Sequence, residues 1–274
     1  MFDSGFGGLT VARALIDLLP CEDLVYLGDT ARYPYGPRSL DEVREFASQI
    51  THKLVEEHAV KLVVVACNTA TAAALDTLRY QFDVPLVGGY RPRREGLVVG
   101  HRDGPGRGHR HRGHDRLGCL PAGRGKAPVA HPDGPPCGPE CAACPGLVEL
   151  VERGETSGDG ALVLVERLLA PVRAAGVDSL LLGCTHYPYL ARIIGEVMGP
   201  DVVLVSSADE TAFEVRSILS EAGLRSRTTS AGSQRWVSSG EARAFVRLGQ
   251  HLFGPELDQA EHWEPPLVCK GERQ

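Results

Sequence analysis

What the chain lacks narrows it quickly. No apolar run approaches the roughly 20 residues that a bilayer-spanning helix requires, so no membrane partner is expected. The opening MFDSGFGGLT has neither a basic n-region nor an apolar h-region; no secretory leader is expected, and the cytoplasm is the expected compartment. Positive charge is not in excess: 29 Lys and Arg against 35 Asp and Glu leave a net −6, so the molecule as a whole has no electrostatic reason to seek nucleic acid or anionic lipid. The 8 cysteines of this 274-residue chain, with no leader before them, read as thiols rather than as a disulfide framework. A further absence is local. None of the Ser and Thr residues falls between positions 78 and 155.

Elsewhere, apolar strands and amphipathic helices alternate, which predicts an α/β fold with mainly parallel sheets. A strand is expected at Leu24 to Leu27. Ser39, with Glu42 three residues on, forms a capping-box signature, and Leu40, Val43, Phe46, Ala47, Ile50 and Leu54 behind it keep helical spacing. Lys61 to Cys67 is a β-branched run suited to a sheet covered on both faces. A helix over Ala70 to Tyr80 and a strand over Val84 to Val87 follow. The second half predicts a helix over Ala161 to Ala175, kinked or shortened by Pro171, and a strand over Ser179 to Gly183. Beyond it come strand 202–205, helix 209–222, strand 235–238 and helix 240–252.

The layout repeats. VVVA leads to Cys67-Asn68-Thr69, and LLLG leads to Cys184-Thr185-His186: apolar strand, small residue, cysteine, two polar residues, helix. Ligands of open α/β sheets bind at the carboxyl ends of strands, and a helix N-terminus after each cysteine would favour thiolate over thiol. Two such units facing across a cleft would bring two activatable thiols to one ligand. Inverting an α-carbon needs a proton taken from one face and another delivered to the other; two groups of matched type, one charged and one protonated, do this in both directions. The plainer alternative is that each cysteine is a small inert core residue. Asp3 and Ser4 could equally make the turn before Gly5, and His186 could simply start a helix.

Four motifs in order carry a resemblance: Asp3-Ser4-Gly5-Phe6-Gly7-Gly8, GDTARYPYG from Gly28 to Gly36, ACNTATA from Ala66 to Ala72, and LGCTHYP from Leu182 to Pro188. With LVERG (150–154) and Ser206-Ser207, they resemble the glutamate racemase family over residues 2–88 and 144–260. Related aspartate racemases share the paired cysteines, but Tyr35-Gly36 and His186-Tyr187-Pro188 look more like the glutamate enzymes. The resemblance implies two pseudo-symmetric α/β domains with the active site in the cleft between them, here 1–88 plus 206–274 and 89–205. It implies a cofactor-independent enzyme with no metal, acting on glutamate to supply D-glutamate for peptidoglycan; whether it forms a homodimer stays open. Cys67 and Cys184 would exchange the α-proton, with Asp3, His186 and Glu152 poising them. Ser4, Tyr35, Gly36, Asn68, Thr69 and Thr185, with Asp3 and His186, would hold the substrate.

Residues 89–140 depart from this pattern. They are rich in Arg, Gly, His and Pro, with no apolar run longer than Leu97-Val98-Val99. A frame displacement by two compensating indels, a disordered basic insert and a metal site of histidines and cysteines are three readings of the stretch. Cys137, Cys141 and Cys144 also have the spacing of an iron–sulfur motif. On the first reading a central strand and hydroxyl donors are lost, and the chain would racemise poorly. Only Met1 and Phe2 precede Asp3, where the family resemblance implies several residues of strand; a start codon called too late is the plain explanation, and a real truncation would cost the strand beneath Asp3 most of its hydrogen bonds. A non-catalytic amino-acid- or metal-binding protein is the contrasting expectation.

Overall fold

The computed structural model describes residues 1–89, 97–100, 141–142 and 144–267. Two sheets organise them. The first has six strands in the order β10-β9-β2-β1-β3-β4: β1 (Phe2–Asp3), β2 (Leu24–Gly28), β3 (Val63–Val65), β4 (Leu86–Gly88), β9 (Gln234–Ser238) and β10 (Glu261–His262). Every neighbouring pair in it is parallel. Alternation along the strands divides their side chains between two cores. Tyr26, Val64, Val87 and Trp236 face one way, against α1 (Leu9–Leu18), α7 (Ser207–Glu221) and α8 (Ala242–Leu252). Leu27, Val63, Val65 and Val237 face the other way, against α2 (Leu40–Glu56) and α3 (Asn68–Gln81).

The second sheet has the order β6-β5-β7-β8: β5 (Leu97–Gly100), β6 (Cys141–Ala142), β7 (Ser179–Leu182) and β8 (Val203–Ser206). β7 and β8 are parallel, while β5 runs antiparallel to both β6 and β7. A third core lies against this sheet, built from α4 (Leu147–Glu152), α5 (Asp159–Ala174) and α6 (Ala191–Met198). The architecture is therefore α/β with mainly parallel strands. Tyr189 and Leu252 pack against both this core and the α1/α7/α8 core of the first sheet.

The capping box forms as expected: the Ser39 side chain accepts from the Glu42 amide, and the Glu42 carboxylate accepts from the Ser39 amide. Several expectations are corrected. Leu40, placed on the buried face by its spacing, is 57% exposed, because the first turn of α2 overhangs the core. Pro171 lies inside α5, which ends three residues beyond it at Ala174, one residue before the expected end. The stretch expected to lose a strand retains one, since Leu97 to Gly100 pairs along all of β7. The other readings of 89–140 fall on residues outside the described ones. β1 is only two residues long, yet it is bonded on both sides: the Leu27 and Asp29 amides donate to Met1 and Asp3, and the Ala66 amide donates to Phe2. Among the described residues no helix is long and apolar enough to cross a membrane.

Candidate active site

The site begins where β1 ends. Asp3 is the last residue of the central strand, and its buried carboxylate accepts from the Gly5 amide at 2.9 Å through Oδ2. Burial raises its pKa; the charge of His186 and the amides of Gly5 and Gly8 pull the other way. Ser4 to Gly8 then turn the chain into α1. Two glycines here are compulsory for spatial reasons. A Cβ on Gly7 would lie 2.3 Å from Thr185 Oγ1 and 2.4 Å from His186 Nδ1; one on Gly8 would lie 2.6 Å from Asp3 Cβ. The turn is thus pressed directly onto the Thr185-His186 segment. Thr10 adds to the joint, its hydroxyl donating to Gly7 O and reaching Thr185 O at 3.0 Å.

Cys67 leaves the next strand, β3, and caps α3, its Sγ accepting from the Ala70 amide at 3.5 Å and lying 3.6 Å from Ser4 Oγ. The helix-end expectation is met in geometry and overturned in outcome. Burial, with the neighbouring Asp3 charge, pushes the Cys67 thiol up to about 12, outweighing the Ala70 amide and Ser4. The resting form of Cys67 is therefore the thiol. Cys184 departs from its counterpart in structure as well. After β7 comes a turn and then a one-turn 3-10 helix, Tyr187–Leu190, before α6 begins. Cys184 is half-buried, and its neighbour is a side chain: His186 Nδ1 at 3.8 Å. His186 Nε2 meets Glu152 Oε1 at 2.7 Å. Burial works against the imidazolium, but the bonds to Cys184 and Glu152 and the Asp3 charge outweigh it, and the pKa rises to about 10.

One contact joins the two strand ends. Asn68, the residue after Cys67, donates from Nδ2 to the carbonyl of Gly183, the residue before Cys184, at 2.7 Å. Asp3, Ser4, Cys67, Asn68, Glu152, Cys184, Thr185 and His186 are therefore brought together by the contacts above. Thr69 lies half-buried in the first turn of α3. Tyr35 is differently engaged: fully buried, it donates its hydroxyl to Asp29, which also accepts from Ser239 and Arg32. Gly36, next to it, is exposed, and a Cβ there would meet nothing. Residues that the sequence did not single out include Gly7, Thr10, Tyr33 and Tyr26. The Tyr33 ring lies 3.2 Å from where a Cβ of Gly5 would stand, and Tyr26 donates to Gly5 O at 2.8 Å. Tyr33 belongs to the Gly28–Gly36 motif and Gly7 to the Asp3–Gly8 motif, which were the available signals; Thr10 and Tyr26 are visible only through packing. Among the described residues no group of three or more His, Cys, Asp or Glu side chains could hold a metal.

Fold and site together define a class: an α/β protein in which two strand ends, each followed by a cysteine, are tied to each other through Asn68 and Gly183. Known proteins of that class are close in sequence. Glutamate racemases of Parafrankia sp. (strain EAN1pec) and Mycobacterium leprae (strain TN) are 44% and 43% identical over 262 residues, spanning 94% of this chain and 91% and 92% of theirs. The solved glutamate racemase of Thermus thermophilus, in complex with β-chloro-D-alanine, matches with TM-score 0.72 and 33% identity over 96% of this chain and 94% of that one. Isoform RacE1 of Bacillus anthracis matches with TM-score 0.72 and 26% identity over 98% and 97%. No family model matches the chain. The chain belongs to the glutamate racemase family and is an isomerase.

Proposed function

We propose that the chain interconverts L- and D-glutamate by exchanging protons with two thiols, Cys67 and Cys184, without a cofactor, and so supplies D-glutamate for cell-wall peptidoglycan. The observation that carries this reading is the Asn68–Gly183 hydrogen bond, which locks the residues flanking the two cysteines to each other. One thiol takes the α-proton from one face of the substrate while the other delivers its own proton to the opposite face. The return reaction swaps the roles. Cys67, held as a thiol by burial, starts as the donor, and Asp3 beside it is the carboxylate that shares its proton. His186, protonated at neutral pH and bonded to Glu152, is placed to exchange a proton with Cys184. Ser4, Asn68, Thr69, Thr185 and the exposed backbone at Gly36 are neutral donors suited to the two carboxylates of glutamate.

The test uses heavy water and single substitutions. Either enantiomer of glutamate incubated in deuterated water gains deuterium at Cα, and neither chelator nor removal of pyridoxal phosphate stops it. Cys67→Ala and Cys184→Ala each abolish racemisation. β-Chloroalanine separates their roles, because its reaction needs a single abstraction: base takes the α-proton, chloride leaves Cβ, and the aminoacrylate hydrolyses to pyruvate and ammonia. Each variant keeps this elimination for one enantiomer and loses it for the other. Identical behaviour of both variants toward both enantiomers sinks the two-thiol reading, and faster exchange of aspartate than of glutamate sinks the substrate assignment.

A further inference from the structure

Among the described residues, three buried polar atoms at or beside the site have no hydrogen-bond partner: Asn68 Oδ1, Asp3 Oδ1 (the carboxylate oxygen not taken by Gly5) and the Tyr189 hydroxyl, the one donor of the three. Buried polar atoms are nearly always paired, and each exception calls for a reason. Tyr189 sits in the one-turn helix three residues after His186, and in a 3-10 turn residues three apart stack on one side. Its amide donates to His186 O at 3.2 Å. Its ring spans two cores, packing against the α1/α7/α8 cluster and the α4/α5/α6 cluster.

We propose that Tyr189 is a positioning residue of the site: its hydroxyl is the donor for Asp3 Oδ1, and engaging it keeps Asp3 charged beside Cys67 when the two halves draw together on substrate. The inference rests on the racemase reading for its consequence in rate. The charged and titratable groups around the pair come from several elements. His186 and Glu152 act on Asp3, whose charge in turn acts on Cys67, Tyr26, Tyr33 and Tyr189, and Arg13 of α1 also acts on Tyr189. Burial and the nearby negative charge of Asp3 and Glu152 raise the Tyr189 pKa, so it stays a protonated donor throughout the working range. A carboxylate oxygen has lone pairs for both a hydroxyl and a substrate ammonium, so the bond does not displace the ligand. Burial raises the Asp3 pKa, and a hydroxyl donor to Oδ1 acts in the opposite direction, with the Gly5 and Gly8 amides and His186.

Tyr189→Phe deletes the hydroxyl and keeps the ring. An orphaned hydroxyl burdens the resting fold, so the variant should show a higher Tm. In the glutamate-saturated enzyme, where the bond forms, the 13Cγ titration of Asp3, assigned by its loss in Asp3→Asn, should move up by about half a unit to one unit, and kcat on the acid limb should fall about three- to tenfold with KM unchanged. In an Asp3→Asn background, Tyr189→Phe should lower the rate no further. Replacing Tyr189 by 3-fluorotyrosine, a stronger donor of the same shape, should move the Asp3 titration down, which decides the matter even if the Phe variant does not fold. An Asp3 titration unmoved by either replacement, or an equal loss of rate in both backgrounds, overturns the proposal. A wild-type chain that does not racemise glutamate sinks the proposed function instead, while the titration still decides the part played by Tyr189.

Discussion

His186 shows how much one side chain is asked to do. It lies two residues from Cys184, is almost fully buried, and gains enough from Cys184, Glu152 and Asp3 to hold its proton to about pH 10. Its folded pKa lies above the ordinary value of 6.5. The stability it contributes is therefore fully present below about 6.5, and is lost as pH rises through about 10. Glu152→Gln removes the charge that Nε2 faces. The expected result is a lower His186 pKa, read from its ring Cε1–H shift, with a smaller loss of unfolding free energy between pH 7 and 10 than in the parent. An unchanged His186 titration would show that Glu152 is not the group holding the proton. The sequence offered His186 and Glu152 as poising groups by resemblance. It could not show that burial would oppose the charge on His186, or that it would defeat the helix-end effect at Cys67. Burial is a property of the packed molecule.

Among elements, the informative contact is between the Ser4–Gly8 turn and the Thr185-His186 segment. Local chemistry explains that the turn forms; the need for glycine at position 7 comes from the opposing segment, whose Thr185 is 178 residues along the chain from Gly7. Gly7→Ala should push Thr185 and His186 off their seats. Overpacking of this kind costs about 1–3 kcal/mol, and a misplacement of about 1 Å can slow a reaction on the order of a hundredfold. Racemisation should therefore fall by about that factor, with a modest drop in Tm. Near-wild-type turnover would mean that the two segments part more easily than their packing indicates. Element boundaries were legible where a local code exists, as at Ser39 and Glu42. The repeat was legible too, but not its asymmetry. VVVACNT and LLLGCTH differ little as strings, yet Asn68 enters α3 directly, while Tyr187-Pro188 diverts the second unit into a 3-10 turn.

At the scale of the whole molecule, the α/β class followed from apolar runs spaced by amphipathic ones, because that pattern is fixed by burial on both faces of a sheet. The antiparallel course of β5 did not, since Leu97-Val98-Val99 is too short to reveal direction or partner. Nor did the joining of the two halves, which depends on Tyr189 and Leu252 belonging to two cores at once. That shared membership has a calorimetric consequence. A side chain packed against two clusters loses contact with both when either one opens, so heat should melt both in a single peak, with equal van't Hoff and calorimetric enthalpies. Leu252→Ala, which withdraws one of the two shared side chains, should lower that peak's temperature and broaden or split it, whereas a truncation confined to one cluster, such as Leu169→Ala, should lower it without splitting. The seam that aligns the chemistry is also what makes this chain melt as one body.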